Sequence, residues 1–359
     1  MLQGRVAVAL LWWVAAWSTA GAQDSGSTLQ NSRPDSTQRH QVSPNRWGSN
    51  AWFPRLRLDN DAYNFWIHPA HRTDEQYSNG VLATLEALHA PWWGRLLGGN
   101  RPGCGQDTGT TGSCLTSHVF LGQNLYTPNL NRPPFANPDW ESERPYAAWL
   151  FVGAGGRKVS RRRMRQVDVA IGVTGRPALG ETAQRIAHWL VRTYTMKAEG
   201  WDTQVGFQPG VQLDWRESAL AARLASGGKG WLDLAPFAGI SAGTIRASAD
   251  AGARLRLGYN LSHPWDPRAS RGRAPLEVLA TAGARGEYVA RDFSLDGTLV
   301  NRNRFVERVS SVREFDLGVG LRFHRLRLDW GATTRTREYT TGPARHVYST
   351  MSAAWEFIP

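Results

Sequence analysis

Residues 314–323 read EFDLGVGLRF, and the fold turns on how this stretch is read. Phe315, Leu317, Val319, Leu321 and Phe323 take every second position, with Glu314, Asp316, Gly318, Gly320 and Arg322 between them. A period of two marks a strand with two unlike faces, because successive side chains point to opposite sides of a sheet. The pattern recurs along the chain. Val167, Val169, Ile171 and Val173 alternate with Asp168, Ala170 and Gly172; Val211, Leu213 and Trp215 with Gln212, Asp214 and Arg216; Leu255, Leu257 and Tyr259 with Arg254, Arg256 and Gly258. The last segment puts Val347, Ser349, Met351, Ala353, Trp355 and Phe357 on one face, so the chain ends on an aromatic strand.

A soluble β-sandwich alternates too, but its polar face meets bulk water and its apolar faces share a core. In a membrane barrel the apolar face meets lipid, aromatic girdles mark the rims, and the polar face lines the lumen. The 17 tryptophans, many near segment ends, fit such girdles. The fold expected is therefore all-β, a 12-stranded antiparallel transmembrane β-barrel of the outer membrane with a helix in an extracellular loop. The strands fall near 53–60, 78–88, 117–126, 145–156, 164–175, 207–217, 231–242, 252–260, 275–287, 309–323, 325–335 and 347–357. An even number leaves both ends periplasmic. The extracellular connections are then 61–77, 127–144, 176–206, 243–251, 288–308 and 336–346. The other set holds tight turns such as Phe323-His324-Arg325, and also the Cys104/Cys114 loop, which is long for that side.

The N-terminus supports export. Residues 1–22 carry Arg5, an apolar run from Val6 to Trp17 and the small-residue site Ala20-Gly21-Ala22, which together read as a secretory signal peptide. The run is shorter than the roughly 20 residues a spanning helix needs. Residues 23–50 are rich in Ser, Gln, Asn and Thr without apolar periodicity and read as a disordered leader, which makes 51–359 the barrel. In an exported chain the two cysteines, Cys104 and Cys114, are expected as a loop disulfide. A net charge of +12 would ordinarily raise nucleic acid as a partner. Export makes anionic lipid or lipopolysaccharide phosphate the better one, and a monomer is expected.

One segment departs from the alternation. ALGETAQRIAHWLVRTYTMKAEGWDTQ, from Ala178 to Gln204, reads as an amphipathic helix with His188 on its middle turn. Gln184 and His188 stand at i and i+4 and share a face, while Ile186, Ala187, Leu190 and Val191 provide apolar packing. This helix falls in the third extracellular connection. Three polar clusters reach the same rim: Asp59-Asn60-Asp61, the run Thr73 to Gly80 containing Ser78, and Glu143-Arg144-Pro145-Tyr146. Asn60 and Asp61 suit either a turn or the oxygen-rich shell of a hard cation such as Ca²⁺. A lone helical histidine is by itself more often structural than catalytic.

Taken in order, NDAYNF, TDEQYSNG, ERPYAAWLFVG, LGETAQRIAH with GWDTQ, VARDFSLDG and TREY resemble the outer-membrane lipid A 3'-O-deacylases of the LpxR type, from about Leu56 to Phe357. That resemblance implies a twelve-stranded barrel whose active site lies between the barrel wall and a loop helix. It also implies a Ca²⁺-dependent hydrolase working somewhat like secreted phospholipase A2, with lipid A, the lipopolysaccharide anchor, as substrate. His188 would be the general base that activates water. Asn60 and Asp61 match the family's essential pair, and Ser78 stands where members carry Thr or Ser. By this resemblance the three would lie near metal and oxyanion, and Glu199 is the only acidic residue between His188 and Asp202 to stand for the family's glutamate. The carboxylate common after the GWDxQ motif is missing, since this chain reads Gly206-Phe207-Gln208. Arg144, with Tyr146 and Gln184, is a candidate for holding substrate, though surface solvation explains an exposed arginine as well.

Two other functions compete. An outer-membrane phospholipase would use a Ser-His-Asn arrangement with serine as nucleophile. No serine and histidine on neighbouring strand positions show the matching local motif here. A porin-like or structural barrel would do no chemistry, but twelve strands leave a narrow lumen that inward Arg, Asp and Glu would fill.

Overall fold

The computed structural model describes residues 52–60, 76–89, 104, 113–128, 140–191, 200–226, 229–265, 276–300 and 302–357. The expected signal peptide and leader, Asp61 and Glu199 lie outside the described residues. Thirteen strand segments form one antiparallel sheet: β1 (Trp52–Asn60), β2 (Gln76–Ala87), β3 (Ser113–Thr127), β4 (Ala147–Ser160), β5 (Arg163–Thr174), β6 (Pro209–Ala219), β7 (Ala222–Ser226), β8 (Lys229–Gly243), β9 (Arg246–Leu261), β10 (Leu276–Asp292), β11 (Ser311–Phe323), β12 (Leu326–Thr336) and β13 (Arg345–Trp355).

Each strand pairs with its sequence neighbour, β6 and β7 excepted, and β1 closes the ring on β13, with Arg55 opposite Ala354 and Asn60 opposite Ser349. β6 and β7 are two halves of one wall strand, broken at Leu220 and Ala221, and both lie against β8. The ring is thus a closed 12-stranded barrel, as the alternation requires. Closure leaves no unpaired edge, the condition for backbone to cross a membrane in strands. No helix among the described residues is long and apolar enough to cross.

The two faces are as unlike as the sequence pattern demands. Val119 and Leu121 on β3, Val152 on β4, Val169 and Ile171 on β5 and Phe315, Leu317 and Val319 on β11 are about half or more exposed, forming an outward apolar belt. The intervening positions point inward and carry the charge. Glu314 pairs with Arg285 at 2.8 Å and with Arg335, Arg256 with Asp233 at 2.6 Å, and Arg322 with Glu277 at 2.9 Å. A layer of rings from Trp149, Phe151, Phe120 and Phe293 fills the interior nearer one rim. Such buried charge is tolerated because it is paired and hydrogen-bonded.

Two expectations about connections need correction. The stretch 243–251 is mostly strand, since β8 and β9 are joined by Thr244 and Ile245 alone. The helix expected from Ala178 to Gln204 is not one element: among the described residues α1 spans Gly180–Val191 and Trp201–Thr203 form a separate 3-10 turn, while 192–199 lie outside the described residues. Gly200, at φ 99°, precedes that turn in a conformation that favours glycine. Cys104 and Cys114 form the expected disulfide, at the rim opposite α1.

Candidate functional site

Strand register decides what meets at the rim near α1. Asn60 pairs with Ser349 on one side and Asn79 on the other, Asn79 pairs with Leu125, and Leu125 pairs with Ala148. Directly paired residues share a face, so the five form a row across β13, β1, β2, β3 and β4. The row faces outward: Leu125 shares its parity with exposed Leu121 and Val119, and Ala148 with exposed Val152. At about 4.8 Å per strand, Asn60 lies roughly 10 Å from the strand of Leu125. Ser349 is fully buried although it faces away from the lumen, so this part of the wall is covered. Ser78 is the bulged residue of β2, between the Tyr77 and Asn79 pairings.

The helix docks on the other end of the row. Leu125, Ala148, Tyr146, Ala178 and Trp201 form one buried apolar cluster, with Leu150 and Ala183 against it. Gln123 donates from Nε2 to the Ala178 carbonyl at 2.6 Å, and Trp201 donates from Nε1 to Gln184 Oε1 at 2.6 Å. Close approach depends on Gly180, where a Cβ would sit 2.3 Å from Trp201 Cζ3 and 2.8 Å from Ala148 Cβ. The loop that carries α1 therefore lies against the outside of the wall, beside the Asn60 row. His188, on the last turns of α1, is half-buried.

Three expected substrate residues have other settings. Gln184 is buried and accepts from Trp201, and Tyr146 is buried with its ring 4.9 Å from that of Trp201; both hold the helix foundation. Arg144 is wholly buried instead of lying exposed at the rim. Its guanidinium donates to Ser294 Oγ at 3.2 Å, Glu338 Oε2 at 3.4 Å and Gln76 Oε1 at 3.5 Å, and lies 4.9 Å from the Tyr126 ring centre. Gln76 also donates to Tyr339 at 2.9 Å, and Tyr339 donates to Glu143 at 2.9 Å. Gln76 reaches this hub from a left-handed backbone, φ 72°, which costs a non-glycine residue about 1 kcal/mol. Burial works against the Glu338 carboxylate, yet the Arg335 and Arg144 guanidiniums hold its pKa down to about 2. Burial pushes the Tyr339 phenol above its usual range.

The adjoining pair Asp59 and Asn60 is split by the pleat. Asp59 points inward, where it accepts from Arg57 at 2.8 Å, Tyr77 at 2.9 Å and Thr350 at 2.7 Å, while Asn60 points outward. Asn79 and Ser349 are the row members that sequence reasoning passed over. Their signal was a polar residue on an otherwise apolar outward face. Among the described residues a serine–histidine pair also meets, Ser117 Oγ and His89 Nε2 at 3.2 Å, but at the opposite rim. Among the described residues no carboxylate or amide holds the other nitrogen of that ring.

For a metal, the amide oxygens of Asn60 and Asn79 fit the hard-cation donor class. Among the described residues no group of three or more His, Cys, Asp or Glu could hold an ion. The anionic donors expected, Asp61 and Glu199, lie outside the described residues.

The family model described as outer membrane protein LpxR matches residues 9–357. The chain belongs to the LpxR family. Among solved structures, LpxR from Salmonella typhimurium superposes with a TM-score of 0.65 at 18% identity, covering 85% of this chain and 100% of that one. At that identity the match speaks for the fold alone, a closed β-barrel; the outer membrane as its location follows from the family. An outer membrane channel from Pseudomonas putida F1 gives a TM-score of 0.41 at 12% identity, with 88% and 100% covered, and carries no argument. No curated protein matches in sequence. Membership in the LpxR family agrees with the order of motifs along the chain. Arg144, Glu338, Tyr339, Ser294 and Gln76 come from four of those motifs, and they meet in the buried hub above.

Proposed function

We propose that this protein is an outer-membrane lipid A deacylase that hydrolyses the 3'-linked acyloxyacyl ester, with its site on the outside of the barrel facing the extracellular leaflet. The observation that carries the reading is the outward row Ser349–Asn60–Asn79–Leu125–Ala148, polar at one end and covered by the α1 foundation at the other. A polar site on the lipid-facing side of a wall suits a substrate whose ester lies at the boundary between sugar and acyl chains. A lumen packed with paired charges and rings does not suit a pore.

In this reading His188 takes a proton from water as the water oxygen adds to the ester carbonyl carbon. The bond between that carbon and the sugar 3'-oxygen then breaks, and the proton passes from the imidazolium to the departing oxygen. The products are a free acyloxyacyl acid and a 3'-hydroxyl. Asn60 and Ser78 orient the carbonyl, and the apolar contact of α1 with the wall restricts bulk water. Asn60, Asp61 and Glu199 would hold Ca²⁺, which when bound polarises the carbonyl and stabilises developing negative charge. Gln184 and Tyr146 act through Trp201 by seating the helix.

The test is mass spectrometry of lipid A from cells with and without the protein. Loss of the 3' acyloxyacyl group is expected, abolished by His188→Ala and by chelation of Ca²⁺. Intact lipid A with phospholipid breakdown would favour a phospholipase built on Ser117 and His89. No change in either lipid class would leave a structural barrel.

A further inference from the structure

The buried side of α1 explains how the helix is seated but not its opposite side. Thr182, Ile186 and Trp189, at i, i+4 and i+7, form a stripe on the face directly away from Gln184. Ile186 is 53% and Trp189 76% exposed, and Leu179, just before the helix, is 54% exposed. The expectation that Ile186 packs against the protein is therefore corrected: it points away from the wall. A soluble protein seldom leaves a large ring and two branched aliphatics together in water. The patch also does not stand alone. Phe207, 61% exposed, precedes β6 with the parity of lipid-facing Val211 and Leu213. The Thr174 amide donates to the Gln208 carbonyl at 3.0 Å, which ties this segment to β5 beside the start of the helical loop. Apolar surface thus runs upward from the barrel belt, through Phe207 and Leu179, onto the outer face of α1.

From this continuity we infer that α1 is an in-plane membrane element whose Leu179–Ile186–Trp189 face rests in the acyl-chain layer of the leaflet bounding that rim. Its composition fits the role. A tryptophan at the end of an apolar stripe suits the boundary between headgroups and chains. Glu181 and Arg185, ion-paired at i and i+4, form a polar flank beside the stripe where headgroups would lie. The helix is then held from both sides, by the Leu125–Ala148–Trp201 cluster on the wall and by lipid outside. A lipid ester would reach the cleft between wall and helix by sliding within the leaflet. This last consequence rests on the function proposed above; immersion of the helix does not.

Site-directed spin labelling tests immersion independently of any deacylation. The two cysteines are joined in a disulfide, so single cysteines at Trp189, Ile186 or Arg185 can be labelled selectively in the full-length protein. The protein is reconstituted in vesicles of phosphatidylethanolamine and phosphatidylglycerol that contain no lipopolysaccharide. Collision rates are measured with oxygen, which concentrates in chains, and with a water-soluble nickel chelate. The ratio of oxygen to nickel accessibility is expected to be severalfold higher for labels at 189 and 186 than at 185. Equal ratios at the three positions would overturn the inference. So would shielding of 189 from both reagents that fades as protein is diluted in the bilayer, which would mean that a second copy covers the face. Brominated lipid should quench wild-type fluorescence more than that of Trp189→Phe, a check that requires no label. Failure of lipid A hydrolysis with immersion intact would count against the proposed chemistry alone.

Discussion

Replacing Arg144 with methionine separates a buried hub from a substrate clamp. The structure permits an estimate of the cost. Glu338 is held at about 2 against 4.5 for the free side chain, a difference worth about 3 kcal/mol at roughly 1.4 kcal/mol per unit. Arg335, 2.7 Å away, is the strongest of the cations that act on it and Arg144 the next, ahead of His346 and Arg246, so about 1 kcal/mol falls to Arg144. The guanidinium against the Tyr126 ring adds about 1 kcal/mol, and the long hydrogen bonds to Ser294 and Gln76 add about 1 kcal/mol together. Methionine leaves Glu338 with Arg335, so the loss stays at or below the roughly 3–5 kcal/mol of a stranded buried charge. The expected outcome is a barrel destabilised by about 2–3 kcal/mol, measured by urea unfolding in phospholipid vesicles. A double-mutant cycle with Glu338→Gln should give a coupling of about 1 kcal/mol. Wild-type stability combined with a raised KM for lipid A would refute the argument, because it would mean that Arg144 reaches a substrate phosphate.

Gly180→Val should lift α1 from the wall, since its Cβ has Trp201 and Ala148 within 3 Å, and lower deacylation at least tenfold while heat-modifiable mobility on gels stays that of a folded barrel. His188→Ala should abolish hydrolysis without lowering the unfolding free energy by more than about 0.5 kcal/mol, as its ring is half-buried and outside the Arg144 hub. On acidification, the Glu338 contribution is fully present above about pH 4.5 and is lost as pH falls toward about 2; Glu338→Gln should flatten that part of the stability profile. Ser117→Ala should leave lipid A and phospholipid unchanged, and lost activity there would move the chemistry to the opposite rim.

The barrel was legible in the chain because alternation is local: a period of two assigns a residue to a face without knowledge of its partners. Strand number, the outward belt through Leu317 and Val319 and the inward charge of Glu314 and Arg322 all followed from it. The family, too, could be read from the order of motifs, which needs no geometry. The choice of partners was not local. Asp59 and Asn60 belong to one polar cluster in sequence, yet the pleat sends Asp59 into the lumen and Asn60 to the outer wall. Arg144 reads as a rim cation until Gln76, Ser294 and Glu338 converge on it from three distant connections. Ile186 and Gln184 both read as helix positions, and only docking on Ala148 and Trp201 decides which of them faces protein. Sequence therefore determined the barrel and which face each strand residue takes. Tertiary structure decided which rows align across five strands, because register is set by long-range pairing and closure of the ring.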